Sequence, residues 1–275
     1  MLREIIPFAL SITATSVDYD AYPMNYTTGN ALATSVTEAR GKMTLSGSIP
    51  EWISGDLYWV GPGKFEFGAD SYNSLVDGQA MVHRFRIKNG EIDFERKFIQ
   101  TDTFKENTEA GHIVVSEPAT YAEPDDLIDP NDGPMKNGLK RFSYYNDHQT
   151  DNTNVKLVHF SGKMLAFNEQ KTINVLDPES LETIEKINLD DYVPEDYQVV
   201  MQSAHPDVDE NGSLVSHVVC LDFSHKIPIP SFAFFVFKVP ETSGKIETAF
   251  AGINWSDPIK VGNDKILTLI WKKKV

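Results

Sequence analysis

The sequence predicts an all-β fold, and three observations carry the prediction. From about Thr44 onward, short runs rich in Val, Ile, Phe and Tyr are separated by Gly, Asn, Asp or Pro. The runs recur at roughly ten-residue spacing, which suits a sandwich, a barrel or a propeller. Segments with helical periodicity are almost absent. The first strand is expected over residues 56–60, Asp56-Leu57-Tyr58-Trp59-Val60, which run into Gly61-Pro62-Gly63. In the next, Met81, His83, Phe85 and Ile87 alternate with Val82, Arg84 and Arg86, and Asn89-Gly90 turns the chain into a partner over 91–95. Further strands are expected over 113–115, 155–160, 163–168, 172–176, 213–221 and 232–239, each bounded by turn residues. Residues 1–43 are weakly periodic and read as an N-terminal arm, which leaves 44–275 as one domain. Residues 117–151, rich in Pro, Asp, Asn and Gly, read as a long functional or mobile loop. Its acidic part, 125–133, is broken by Pro130 and lacks the closing Glu of a calcium loop, so it reads as a solvated loop.

Composition narrows the function classes. With 41% hydrophobic and 24% charged residues the chain is neither disordered nor coiled coil, and at 275 residues it is long enough to bury a full core without staples. Twenty-five Lys and Arg against 40 Asp and Glu give a net charge of −15, the wrong field for nucleic acid, and Lys272-Lys273-Lys274 is too short to reverse it. A single cysteine, Cys220, excludes an intrachain disulfide. No apolar run reaches the roughly 18–20 residues of a membrane span. Glu4 and Pro7 interrupt the apolar start, which argues against a signal peptide and for a cytoplasmic protein. The sequons at Asn25 and Asn254 therefore carry little weight.

Local catalytic motifs are missing: the sequence has no GxSxG, P-loop, HExxH or GxGxxG. Seven histidines remain, at 83, 112, 148, 159, 205, 217 and 225, with only His217 and His225 near one another at ligand-like spacing. A site built on strands draws its ligands from distant parts of the chain, so spacing alone neither finds nor excludes a metal.

Longer strings are more informative. Residues 48–58 (Ser-Ile-Pro-Glu-Trp-Ile-Ser-Gly-Asp-Leu-Tyr), Gly61-Pro62-Gly63-Lys64-Phe65-Glu66 and 77–85 (Asp-Gly-Gln-Ala-Met-Val-His-Arg-Phe) resemble the carotenoid cleavage oxygenase family, in its animal branch of β-carotene oxygenases and the retinoid isomerase. Thr101-Asp102-Thr103-Phe104-Lys105, Ile113-Val114-Val115-Ser116-Glu117, Thr150-Asp151-Asn152, Asp177-Pro178-Glu179-Ser180-Leu181-Glu182-Thr183 and Ala204-His205-Pro206 follow in the family's order. The resemblance runs from about residue 44 to 240.

The resemblance implies a seven-bladed β-propeller, of which this chain would be the N-terminal portion. It also implies a non-haem ferrous iron held on the axis by four histidines, three of them oriented by carboxylates. With dioxygen as co-substrate, such an enzyme splits a conjugated double bond of a carotenoid or apocarotenoid. Neutral imidazoles suit Fe(II), and a carboxylate fixes their tautomer and direction. His205 matches the family's first iron ligand, and Glu169, in Ala166-Phe167-Asn168-Glu169-Gln170, matches a glutamate that hydrogen-bonds a liganding histidine. On the residues alone, His205 is a turn histidine before Pro206, and Glu169 is equally an exposed strand end. His83 falls on the apolar side of its strand and reads as a core histidine satisfied by a hydrogen bond. The aromatic run 232–237 reads as a buried strand, with an apolar tunnel wall or membrane contact as the other reading.

The departures from the family set further expectations. Residues 241–275 diverge, and the family's three later histidines have no counterpart, so one ligand is expected where four are needed and the 275-residue chain alone is expected to be inactive. His217 and His225 match no family ligand motif. The alternative function is a truncated, non-catalytic form that binds an apolar ligand or partners a full-length relative. An incomplete propeller exposes a sheet face and strand edges, which favours association. Pro124-Asp125-Asp126 replaces the cysteine-bearing motif of the vertebrate branch, which leaves no lipid anchor there, and the acidity of that loop opposes docking on anionic membrane. Peripheral membrane contact stays open.

Overall fold

The computed structural model describes residues 34–260, apart from 123, 125–126 and 225–230. Most of the expected N-terminal arm, the first residues of the acidic stretch, His225 and the end of the divergent tail therefore lie outside the described residues.

Three antiparallel sheets follow one another along the chain. Sheet 1 contains β1 (Ala39–Lys42), β2 (Gly55–Lys64), β5 (Gln79–Lys88) and β6 (Glu91–Phe98), in the order β1-β6-β5-β2. A small ribbon of β3 (Glu66–Phe67) and β4 (Asp70–Ser71) precedes β5. The turn between β5 and β6 is Asn89-Gly90, both at positive φ (53° and 76°), as a two-residue hairpin turn matched to strand twist requires. β1 lies within the stretch read as an arm, yet it is paired along its length with β6.

Sheet 2 is a meander of β7 (Lys156–Phe160), β8 (Lys163–Phe167), β9 (Thr172–Leu176) and β10 (Thr183–Asn188). Ser161-Gly162, again both at positive φ, turns β7 into β8. Sheet 3 joins β11 (Tyr197–Gln202), β13 (Leu214–Asp222), β14 (Ser231–Val239) and β15 (Asn254–Trp255) in that order; β12 (Asp207–Val208) pairs with β13 and β16 (Ile259–Lys260) with β14. Strand alternation sorts the side chains. Ala80 and Val82 meet Met164, Ala166 and Leu176 between sheets 1 and 2. Phe160, Phe167 and Ile187 of sheet 2 meet Val218, Phe235 and Phe237 of sheet 3 in the largest core. The aromatic run is thus half core: Phe235 and Phe237 are buried, while Phe232 is exposed on the opposite face.

Among the described residues three α-helices correct the all-β expectation to a mostly β fold. α1 (Asp102–Ala110) starts at Thr101, whose hydroxyl accepts from Phe104 N, and stops at Gly111, which adopts φ +70°. α2 (Pro134–Asp147) begins with proline at its first turn and lies inside the stretch expected to be loop. α3 (Ile246–Phe250) buries Ile246, Ala249 and Phe250 in the largest core. The expected strand at 113–115 is absent because its amides are taken by side chains. Val114 N and Val115 N donate to Asn107 Oδ1, and Ile113 N donates to Asp70. Among the described residues no sheet closes on itself. Among the described residues the outer face of sheet 3 and part of that of sheet 1 are uncovered; elsewhere on sheet 1, Phe85 and Ile92 are buried with Ile49, and Met43, Leu45 and Ile53 pack against them. Leu57 and Trp59 are exposed on sheet 1, beside an apolar cavity of about 470 Å³, and Phe232 and Val236 on sheet 3.

Candidate functional site

β11 and β12 both run beside β13, so the four residues between them form an excursion at the edge of one interrupted strand. The backbone of this excursion is tied down on both sides of His205. Gln202 N donates to Glu169 O (2.9 Å), Ser203 N to His217 O (2.9 Å), and Lys156 Nζ to Pro206 O (2.7 Å). His205 N donates to Ser203 Oγ (3.1 Å), a local turn that aims the following side chain outward. Ala204 and Pro206 are buried and His205 between them is exposed. The segment thus holds its main chain rigidly and presents one imidazole.

Glu169 is placed by a comparable device. It follows β8, where Asn168 is buried; Asn168 Nδ2 donates to Asn152 O (2.9 Å) and its Oδ1 accepts from Gln170 N (3.0 Å). The Glu169–Gln202 main-chain bond puts Glu169 at the same edge as His205, with its side chain exposed. Among the described residues no hydrogen bond joins the two side chains, so the structure brings together their backbones only.

The other histidines are dispersed. His83 is half-buried rather than a core residue, with its ring 6.0 Å from that of Phe94; burial and the neighbouring Arg96 lower its pKa. His112 lies 4.0 Å from Asp70, His148 stacks on Tyr144 at the end of α2, and His159 and His217 are exposed on β7 and β13. Among the described residues no three His, Cys, Asp or Glu gather as a metal-holding group. The donors described here therefore do not assemble a metal centre by themselves.

A polar cluster that sequence reasoning did not assign a role lies between sheet 1, α1 and the start of sheet 2. Buried Asp77 accepts from Ala119 N (3.2 Å) and Thr120 Oγ1 (2.7 Å). Asn152 Oδ1 accepts from Ala80 N, and Asn152 Nδ2 donates to the carbonyls of Asp77 and Gly78. Gly78 is confined, since a Cβ there would lie 2.7 Å from Pro62 Cβ and overlap the Phe65 ring. Glu117 accepts from Thr150 Oγ1 (2.8 Å) and Gln79 Nε2 (3.1 Å). Burial pushes the Glu117 carboxyl up to about 8, assisted by the nearby charge of Asp77. Glu117 and Thr150 also line a cavity of about 370 Å³ with Tyr121, Tyr145, His148 and Gln170, the residue after Glu169. The signal for this cluster was available, because the strings at 77–85, 101–105, 113–117 and 150–152 all converge on it.

Comparison with known proteins agrees with this geometry. Residues 32–263 match the family described as retinal pigment epithelial membrane protein. The chain is 38% identical over 190 residues to the mitochondrial carotenoid-cleaving dioxygenase of Macaca fascicularis, covering 66% of this chain and 32% of that protein. It is 36% identical over 179 residues to the β,β-carotene 15,15'-dioxygenase of Rattus norvegicus, covering 64% and 30%. It is 35% identical over 174 residues to the carotenoid isomerooxygenase of Galleria mellonella, covering 62% and 32%. The chain thus spans about a third of the length of these relatives. Among solved structures, a variant of the Synechocystis apocarotenoid oxygenase superposes with a TM-score of 0.57 at 22% identity, over 80% of this chain and 43% of that one, a likeness of fold.

Proposed function

The chain belongs to the carotenoid oxygenase family, that of the retinal pigment epithelial membrane protein, and from that membership we propose that it is part of an iron-dependent dioxygenase cleaving a conjugated double bond of a carotenoid or apocarotenoid. On this reading sheets 1–3 are consecutive blades of a β-propeller, with β2, β7 and the β11–β12 strand innermost. Contacts between β2 and β7 and between β7 and β12 support that order. His205 supplies one of the four imidazoles and Glu169 the carboxylate that orients a liganding histidine. Iron, when bound, supplies the activation of dioxygen. The described residues gather no complete ligand set, so their part in the reaction is positional: they fix His205 and Glu169 at one edge. The observation that carries this reading is the exposed imidazole of His205 on a backbone pinned to Glu169.

The test is iron content and polyene cleavage by the polypeptide isolated from its source, whose intact mass is read in the same preparation. His205→Ala is expected to abolish bound iron. Glu169→Gln is expected to lower metal affinity or activity about 10- to 100-fold. Iron content unchanged by His205→Ala would sink the assignment. A second reading, a non-catalytic chain that binds an apolar ligand or a full-length relative, is favoured by the uncovered faces around Trp59 and Phe232. Oxygen-dependent cleavage by the purified 275-residue chain would eliminate it.

We further propose a cytoplasmic location with peripheral membrane contact through α2. Met135 and Leu139, one turn apart, are 82% and 64% exposed there. No helix among the described residues is long and apolar enough to cross a membrane.

A further inference from the structure

Glu117 is 4% exposed, and no Lys or Arg pairs with it among the described residues. An ionised carboxylate in such a place is an uncompensated buried charge. The groups that face it make the problem sharper. From the segment before β5 come the Asp77 carboxylate, which opposes a second negative charge, and the Tyr72 phenol, held protonated by burial and by the nearby Glu117. From α1 come only the uncharged Thr103 and Asn107, whose bonds run to Thr150 and Tyr72. Asp151 is turned away, accepting from Asp102 N and Thr103 N, with Lys186 3.7 Å distant. Across the cavity stand Tyr121, Tyr145 and His148.

The hydrogen bonds around Glu117 are incompletely matched in the arrangement seen. Gln79 Nε2 donates both to Glu117 (3.1 Å) and to Tyr72 OH (2.7 Å), while Asn107 Nδ2 also donates to Tyr72 OH (2.9 Å). The Tyr72 oxygen therefore faces two N–H donors, and Gln79 Oε1, wholly buried, has no partner. Turning the Gln79 amide over exchanges its oxygen and nitrogen without moving any other atom. Gln79 Oε1 can then accept hydrogen bonds from a protonated Glu117 carboxyl and from the Tyr72 hydroxyl, with the Gln79 N–H groups moved into the position where the oxygen has no partner.

We propose that Glu117 and Gln79 form a proton-operated latch on the segment 113–122, closed when the Glu117 carboxyl is protonated and opened when it ionises. Apart from Glu117 the segment is held at its two ends more than at its middle: Ile113 is packed on Phe67 and Tyr72 and its N donates to Asp70, Asn107 takes the amides of Val114 and Val115, and Asp77, Asn73 and Tyr144 bond Ala119, Thr120 and Ala122. Its ladder bonding is one bridge between Glu117 and Thr120. Opening moves the Glu117 and Pro118 wall of the 370 Å³ cavity, which ends beside Gln170. The latch is independent of the iron assignment. Glu117 holds its proton more tightly folded than unfolded, so its contribution to stability is complete below about pH 4.5 and is lost as pH rises to about 8.

The test is amide hydrogen exchange of the 275-residue chain from about pH 6 to about pH 9, corrected for intrinsic exchange, for the native sequence and Glu117→Gln. Protection of Glu117 N, Thr120 N and Ala122 N is expected to fall by up to about tenfold per pH unit as pH rises towards about 8 and to level off above it, while the β8–β9 ladder keeps its protection. In Glu117→Gln, protection should be flat across the range. Infrared spectroscopy of the native chain provides a readout that needs no variant: a protonated-carboxyl carbonyl band present at about pH 7 should vanish by about pH 9. Equal pH dependence in both proteins, or the absence of a titrating band, would overturn the latch.

Discussion

Arg84 shows how one side chain ties two sheets together. It stands on the face of β5 that meets sheet 2, pairs with Glu95 on β6 at 2.7 Å, and donates to the carbonyls of Pro178 and Glu179 in the β9–β10 turn. Both charges are buried, so each depends on the other for solvation. Arg84→Ala leaves a buried carboxylate and the Glu179 carbonyl without this donor, while Pro178 O keeps the Tyr58 hydroxyl, and should cost about 3–5 kcal/mol in urea unfolding. Replacing the pair together, Arg84→Met with Glu95→Leu, should recover much of the loss; a double variant no more stable than Arg84→Ala would contradict this. At this scale the sequence was partly legible. His205 and Glu169 are candidates because flanking residues carry a recognisable pattern. Glu117 stands in such a pattern, but its role is not legible there, because its partners Gln79 and Thr150 stand 38 and 33 positions away.

Among elements, the hairpins were the most readable. Asn89-Gly90 has a local chemistry that needs no tertiary context, and the expected runs at 155–160, 163–168 and 172–176 are β7, β8 and β9 within a residue. α1 was not readable from its period. Phe104 is its one large apolar residue, stacked on Phe98, and what fixes the helix is capping from elsewhere. The Asp151 carboxylate accepts the amides of Asp102 and Thr103, two of the donors a helix start leaves unpaired. Asp151→Ala should therefore destabilise the chain by about 1–2 kcal/mol. Amide exchange should report the loss first at 102–104; a loss spread evenly over all three sheets would contradict the capping role. β10 was missed for a different reason: it is an edge strand whose Glu185 and Lys186 blur the alternation.

For the whole molecule, two cores weld three sheets together, and among the described residues the part of sheet 1 around Trp59 and the face of sheet 3 around Phe232 stay apolar and exposed. Composition could not reveal this, since a sheet face reads the same in sequence whether another sheet covers it or not. Exposed patches of this kind drive association. The 275-residue chain should sediment as species heavier than 30.9 kDa, and Trp59→Lys combined with Phe232→Lys should shift it towards the monomer. A native chain that stays monomeric at every concentration would count against open faces.

The meander of sheet 2 has a kinetic consequence. β7 to β10 lie side by side in chain order, so each new ladder closes only a short loop. Sheet 1 instead waits for β1 to find β6 across a separation of more than 50 residues, pairing Ala39 with Arg96. Local closure is the cheaper first step, which places the rate-limiting nucleus in sheet 2 and leaves β1 to dock after the barrier. Ile173→Val should consequently slow refolding, whereas weakening β1 at Gly41 should chiefly hasten unfolding. Stopped-flow chevrons with the reverse pattern would relocate the nucleus. During synthesis, the outer edge of sheet 1 would then be the last of the early strands to be sealed, although its residues leave the ribosome first.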